Sequence, residues 1–153
     1  MYKQMLRSIA LFFIIFFLNF DSFANDQYFQ TLRNDVVNLR QGPSKEYPVK
    51  IIYKKKFLPV LIQDKYYNYK KIKDHENNTG WIHVSQLSKK RAAIVYNENI
   101  VVFKNPTLYS KPLVVLNQGR LCLIIKCRNK WCKIKVDKYK GWVQQSTLWG
   151  RLN

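Results

Sequence analysis

Along most of the chain, apolar residues fall at every second position in short runs. Leu58, Val60 and Ile62 alternate along one run, and Leu121, Leu123 and Ile125 along another. A period of two marks a half-buried strand, whereas an amphipathic helix spaces its apolar residues three and four apart. No stretch beyond the N-terminal segment keeps helical spacing for more than two turns. Polar turns such as Asp74-His75-Glu76-Asn77-Asn78-Thr79-Gly80 bound the runs, and Gly42-Pro43-Ser44 and Asn105-Pro106-Thr107 each open a loop early in a half. The pattern predicts an all-β protein with roughly five short strands in each half, closed into two small barrels.

The two halves are copies of one module. Gly80-Trp81 and Gly141-Trp142 head matching blocks, Trp81-Ile82-His83-Val84-Ser85-Gln86-Leu87 against Trp142-Val143-Gln144-Gln145-Ser146-Thr147-Leu148. Upstream, Tyr69-Lys70-Lys71-Ile72 reads against Trp131-Cys132-Lys133-Ile134, and Val37-Asn38-Leu39-Arg40 with Pro43 against Val101-Val102-Phe103-Lys104 with Pro106. Three blocks in the same order, drifting by a residue or two, are what loop-length differences within a duplicated module produce. Two copies are too few for a solenoid.

The first residues read differently. Lys3 and Arg7 precede an unbroken apolar run from Ile9 to Leu18, and Ser22-Phe23-Ala24 supplies small residues at a cleavage site. The run falls well short of the about 20 residues that span a bilayer, and the arrangement matches a secretory signal. An uncleaved membrane anchor is the alternative. No Cys follows the run to receive a lipid anchor. The organisation expected is a signal peptide over 1–24, a first barrel with its lead-in over 25–95, and a second barrel over 96–153.

The 153 residues carry 27 Lys and Arg against nine Asp and Glu, a net charge of +18, with two His. Removing residues 1–24 takes away Lys3, Arg7 and Asp21 and leaves +17. Few acids and histidines leave little material for acid–base or metal chemistry. His75 lies in an acidic, Asn-rich turn and His83 follows the first Gly-Trp pair; neither stands beside a nucleophile motif, and no Gly-rich phosphate loop is present. Asp64, Asp74 and Glu76 sit in turns and read as solvated. The expectation is a protein that is not an enzyme and takes no cofactor.

The residues resemble those of bacterial SH3-like (SH3b) proteins that carry two such domains behind a signal peptide. Phe29-Gln30-Thr31-Leu32, Val37-Asn38-Leu39-Arg40-Gln41-Gly42-Pro43, Tyr47-Pro48-Val49 and Gly80-Trp81-Ile82-His83 carry the resemblance in the first copy. Trp131-Cys132-Lys133, Gly141-Trp142-Val143 and Leu148-Trp149-Gly150 carry it in the second. Two positions depart from the pattern: Tyr69 stands where the family usually has Trp, and Phe103-Lys104-Asn105-Pro106 replaces the fuller Leu-Arg-x-Gly-Pro block. The resemblance implies two tandem SH3-like β-barrels forming a non-catalytic binding module of the bacterial envelope.

Cys122, Cys127 and Cys132 all lie in the second copy. Strand alternation puts Leu121, Leu123, Ile125 and Cys127 on one face, with Cys132, Ile134 and Val136 inward on the next strand. Cys127 and Cys132 then face each other across a hairpin end as a candidate disulfide, with Cys122 pointing the other way and unpaired. An oxidising compartment favours the bridge; three buried thiols are the alternative. A zinc site lacks its fourth ligand.

Aromatic side chains are the binding candidates: Tyr66, Tyr67, Tyr69 and Trp81 in the first copy, and Trp131, Tyr139 and Trp142 in the second. Tyr and Trp offer broad, rigid contact area with one polar handle, which suits peptides and sugars. Against this, Trp81 and Trp142 open core strands and read equally as core plugs. The positive charge would attract an anionic envelope polymer, yet Lys outnumbers Arg 20 to seven, and Arg is the residue suited to bidentate phosphate recognition. Lys54-Lys55-Lys56 and Lys89-Lys90-Arg91 occupy turns where solvated charge is ordinary. The expectation is an exported, periplasmic protein that binds cell-wall peptide or glycan. The rival is a scaffold module that recognises another envelope protein. Nucleic-acid binding conflicts with export.

Overall fold

The computed structural model describes residues 27–152; the expected signal peptide lies outside the described residues. The described residues form fourteen strands: β1 (Tyr28–Leu32), β2 (Val37–Arg40), β3 (Val49–Tyr53), β4 (Pro59–Tyr66), β5 (Tyr69–Lys73), β6 (Thr79–His83), β7 (Leu87–Ser88), β8 (Ala92–Val95), β9 (Ile100–Phe103), β10 (Pro112–Leu116), β11 (Leu121–Arg128), β12 (Trp131–Val136), β13 (Tyr139–Gln144) and β14 (Leu148–Gly150). They make two antiparallel sheets of seven, ordered β3-β2-β6-β5-β4-β1-β7 and β10-β9-β13-β12-β11-β8-β14. The second order is the first shifted by seven strands, so the duplicated sequence blocks fold into one topology twice. Two short 3-10 turns, Val84–Gln86 and Gln145–Thr147, each follow the strand of a Gly-Trp pair. No helix among the described residues is long and apolar enough to cross a membrane.

Each unit has its own core. Leu32, Val37, Leu39, Leu58, Val60, Ile62, Ile72, Ile82 and Leu87 fill the first, joined by Ile94 from β8. Ala93, Val95, Val102, Cys122, Ile124, Cys132, Ile134 and Val143 belong to the second. The Gly-Trp pairs hold the sheets closed. A Cβ on Gly80 would lie 2.7 Å from the Arg40 carbonyl oxygen, and one on Gly141 2.6 Å from that of Phe103. Only glycine lets β6 and β13 approach β2 and β9 closely enough for the pairs Arg40–Trp81 and Phe103–Trp142.

Four differences from the sequence expectations have physical causes. First, each unit uses seven strands rather than about five, because the lead-in and the two- and three-residue closing strands also pair. Second, Ala92–Val95, placed by sequence at the end of the first unit, opens the second sheet by pairing with β11 and β14. All four of its residues are buried, so it shows no alternation from which a side could be read.

Third, β11 buries Cys122 and Ile124 and leaves Leu121 and Leu123 half-buried. A bulge between Ile124 and Lys126 spends Ile125 as an extra residue, which reverses the face of everything after it. Cys127 thereby returns to the inner side opposite Cys132 and is bonded to it, while Cys122 is a core residue with a free thiol rather than an outward one. β4 has the same bulge between Ile62 and Asp64.

Fourth, Asp74 is 2% exposed rather than solvated. Its Oδ1 accepts the backbone N–H groups of Glu76 and Asn78, at 3.0 and 2.8 Å, and its Oδ2 accepts Asn78 Nδ2 and the Tyr53 hydroxyl, each at 2.9 Å. The carboxylate ties the β5–β6 turn to β3.

The units pack against each other. The Phe29 and Trp149 rings meet edge to face at 4.8 Å, and Arg151 Nη1 donates to the Phe29 carbonyl at 2.8 Å. Thr31 Oγ1 holds the β7–β8 connector between them, donating to the Lys90 carbonyl at 2.9 Å.

Candidate functional site

Alternation along β2, β5 and β6, and along β4 beyond its bulge, sends one set of side chains outward onto a shared face. Asn38 and Arg40 come from β2, Trp81 and His83 from β6, Tyr69 and Lys71 from β5, and Asp64 and Tyr66 from β4. The register brings them together as the cross-strand pairs Arg40–Trp81, Lys71–Trp81, Tyr69–His83, Tyr66–Tyr69 and Asp64–Lys71.

One end of this face is a cleft of about 260 Å³, lined by Asn38, Arg40, Lys45, Tyr69, His83, Ser85 and Gln86. Arg40 Nη1 donates to the carbonyls of Lys45 at 3.0 Å and Tyr47 at 2.9 Å, bracing the β2–β3 loop as the cleft wall. Tyr69 forms the floor. It is 8% exposed and packs edge to face on His83 at 5.1 Å. His83 caps the following 3-10 turn: its Nδ1 accepts the Ser85 backbone N–H at 3.3 Å and lies 2.7 Å from Ser85 Oγ.

Beside the cleft stands an aromatic shelf. Tyr66 meets Tyr67 at 4.8 Å and Trp81 at 6.5 Å, both edge to face. Trp81 is half-buried. Tyr67 is 80% exposed and has a left-handed backbone, φ 45°, at the β4–β5 turn. Asn129 holds the matching place in the second unit with φ 48°. Asn enters that region readily and Tyr does not, so Tyr67 is an exposed aromatic kept in a costly conformation.

The second unit builds the same face from different chemistry. The place of the first cleft is lined by Ile100, Val101, Phe103, Leu108, Val143, Gln144 and Thr147. The register shifts the sequence block by one residue, so that Phe103 rather than Lys104 takes the position of Arg40 opposite the Gly-Trp tryptophan; it packs against Trp131 at 6.0 Å instead of bracing a loop. Trp142 is 5% exposed and lies beneath Lys126 and Arg128, whose cationic groups stand 5.8 and 5.1 Å from its ring. It is buried on the outer face of the sheet by these cationic side chains, not within the inner core.

Tyr139 does not join Trp131 and Trp142. It occupies the opposite face of β13 and packs against the inner core, because two outward residues of that strand cannot be an odd number apart. Of the aromatic candidates, the structure therefore brings together Tyr66, Tyr67 and Trp81, with Tyr69 as a buried support; Trp131 and Trp142 share the outer face of the second unit, the first packed on Phe103 and the second beneath Lys126 and Arg128. The cleft residues Asn38, Arg40, Lys45, His83, Ser85 and Gln86 were not among the sequence candidates. Their signal was the polar alternation Asn38/Arg40 and Trp81/His83 on strands whose other face is core.

One buried and one half-buried group have shifted acidities. Burial pushes the Cys122 thiol up to about 12, against a small opposing effect of its contact with the Ala93 carbonyl. Burial, then the hydrogen bond to Asp74, raises the Tyr53 phenol.

A family model described as the bacterial SH3 domain matches residues 33–89 and again 97–150. No curated protein matches the chain. Among solved structures, NlpC2 from Trichomonas vaginalis is similar at 11% identity and a TM-score of 0.37, over 82% of this chain and 48% of that one. NlpC1 from Trichomonas vaginalis is similar at 12% identity and a TM-score of 0.37, over 84% of this chain and 47% of that one. The chain spans about half the length of these two proteins.

Proposed function

The chain belongs to the bacterial SH3 domain family, and from that premise we propose that it is an exported, non-catalytic binding module of the cell envelope that recognises peptidoglycan peptide or glycan. The observation that carries this reading is the continuity, on one outer face, of the cleft around Arg40 with the Tyr66–Tyr67–Trp81 shelf. Peptidoglycan presents carboxylates and amides beside sugar rings. Arg40 and Lys45 supply cations, Asn38 and Gln86 supply amide donors and acceptors, and the shelf offers flat apolar area for a sugar face.

The strained backbone at Tyr67 supports the same reading. A left-handed tyrosine costs free energy, and such conformations cluster at functional positions. His83 and Ser85 act here as polar lining, since their mutual contact is a helix cap. Export through residues 1–24 belongs to the proposal and gives the protein access to the wall. Co-sedimentation of the secreted protein with purified sacculi tests it: retention that survives physiological salt supports the reading, and a protein left in the supernatant contradicts it.

A further inference from the structure

The two units differ most sharply at one cross-strand pair. In the first, Asp64 faces Lys71 across β4–β5, an opposite-charge pair. At the matching place in the second, Lys126 faces Lys133 across β11–β12. One row further along, Lys73 faces Thr79 in the first unit, whereas Lys135 faces Lys140 in the second. Like charges directly opposite each other destabilise a sheet, and here two such pairs lie in successive rows of the same face. Arg128 extends the stripe by one more row, beside Trp131.

No carboxylate among the described residues forms an ion pair on this face. The acids of the second unit are Glu98 and Asp137; both lie outside its strands, and Asp137 is engaged by Arg120. The first unit shows that the fold accepts an acid at the position of Lys126. The repulsion is therefore not imposed by the topology. The Trp142 ring offsets it in part beneath Lys126 and Arg128, but the Lys135–Lys140 pair has no such support, and a local rule left broken is expected where a partner completes the site.

We propose that the outer face of β11–β12–β13 binds a linear phosphate-bearing polymer, with Lys126, Arg128, Lys133, Lys135 and Lys140 contacting its phosphates. Rows on one face of a strand repeat every two residues, roughly 7 Å, so the five cations form a stepped stripe that a flexible chain can follow. A bilayer fits this face less well, because Trp142, the aromatic that would enter the headgroup region, is buried beneath Lys126 and Arg128. This site lies on the other unit from the proposed wall-binding cleft and does not depend on it.

The test uses the full protein with long-chain inorganic polyphosphate, read as affinity against salt. Lys126→Asp restores the pairing of the first unit. It should raise the thermal unfolding midpoint while weakening polyphosphate binding at least tenfold at physiological salt. The neutral double variant Lys126→Gln/Lys135→Gln guards against a folding defect; its log–log salt slope should fall by about 1.4, from roughly 0.7 per phosphate contact on a single flexible chain. Lys54→Asp, an equal charge change in a loop of the first unit, should weaken binding less than twofold. Equal losses for Lys54→Asp and Lys126→Asp, or undiminished binding by either variant of the stripe, would overturn the proposal. So would binding confined to vesicles of anionic phospholipid.

Discussion

Ile94 pairs with Leu121 in the second sheet, yet both side chains pack against the core of the first unit. The residues on either side of Ile94, Ala93 and Val95, point into the second core. One strand therefore serves two cores, and neither can lose it without the other. Ile94→Ala should cost about 2–5 kcal/mol. Because the strand is shared, the whole protein should still unfold in one transition, displaced to lower denaturant when followed by circular dichroism and tryptophan emission together. Two separated transitions in the parent protein would show that the units are independent.

The Cys127–Cys132 bond closes a hairpin while Cys122 stays protonated in the core. Non-reducing peptide mapping should link Cys127 to Cys132. Cys122 should resist alkylation at pH 8 until the protein is unfolded. The thiol's folded value, about 12, exceeds its ordinary value of 9.0, so its stabilising contribution is complete below pH 9 and is lost as pH rises towards 12. The Tyr53 phenol, also raised, acts in the same direction. Denaturation midpoints should accordingly fall across that range, and less steeply for Cys122→Ala.

Asp74 accepts four hydrogen bonds from a buried position. Asp74→Ala leaves two backbone N–H groups and the Tyr53 hydroxyl without their acceptor, a loss of roughly 2–4 kcal/mol. Urea denaturation should show it, with Glu46→Ala, an exposed acid of the β2–β3 loop, changing the midpoint little.

Much of the architecture was legible because period-two alternation and the Gly-Trp blocks are local signals. Val60 and Ile62 followed the pattern directly. What escaped depended on distant partners. The bulge at Ile125 is invisible in a run of apolar residues that reads equally well in either parity; plain alternation pairs Cys127 with Cys132 correctly but puts Cys122 on the wrong face. Asp74 looked like any turn acid because its burial is made by Tyr53, 21 residues away. Arg40 was recognised within a motif but not as a cleft wall, since its role depends on the carbonyls of the loop it braces. Tyr139 shared a strand with Trp142 but not a face, a matter of counting an odd interval.

Tyr67 separates binding from stability more cleanly than its neighbours do. Tyr69→Ala removes a buried floor and should lower both. Tyr67→Asn installs the residue that the second unit uses at the same turn, relieving about 1 kcal/mol of backbone strain while deleting an exposed anchor commonly worth about 2 kcal/mol. The decisive measurement is sacculus co-sedimentation of Tyr67→Asn beside the parent protein, with thermal unfolding on the same samples. A higher unfolding midpoint with retention weakened roughly 30-fold is the predicted result. A more stable variant that sediments like the parent would contradict the assignment of this face to the cell wall.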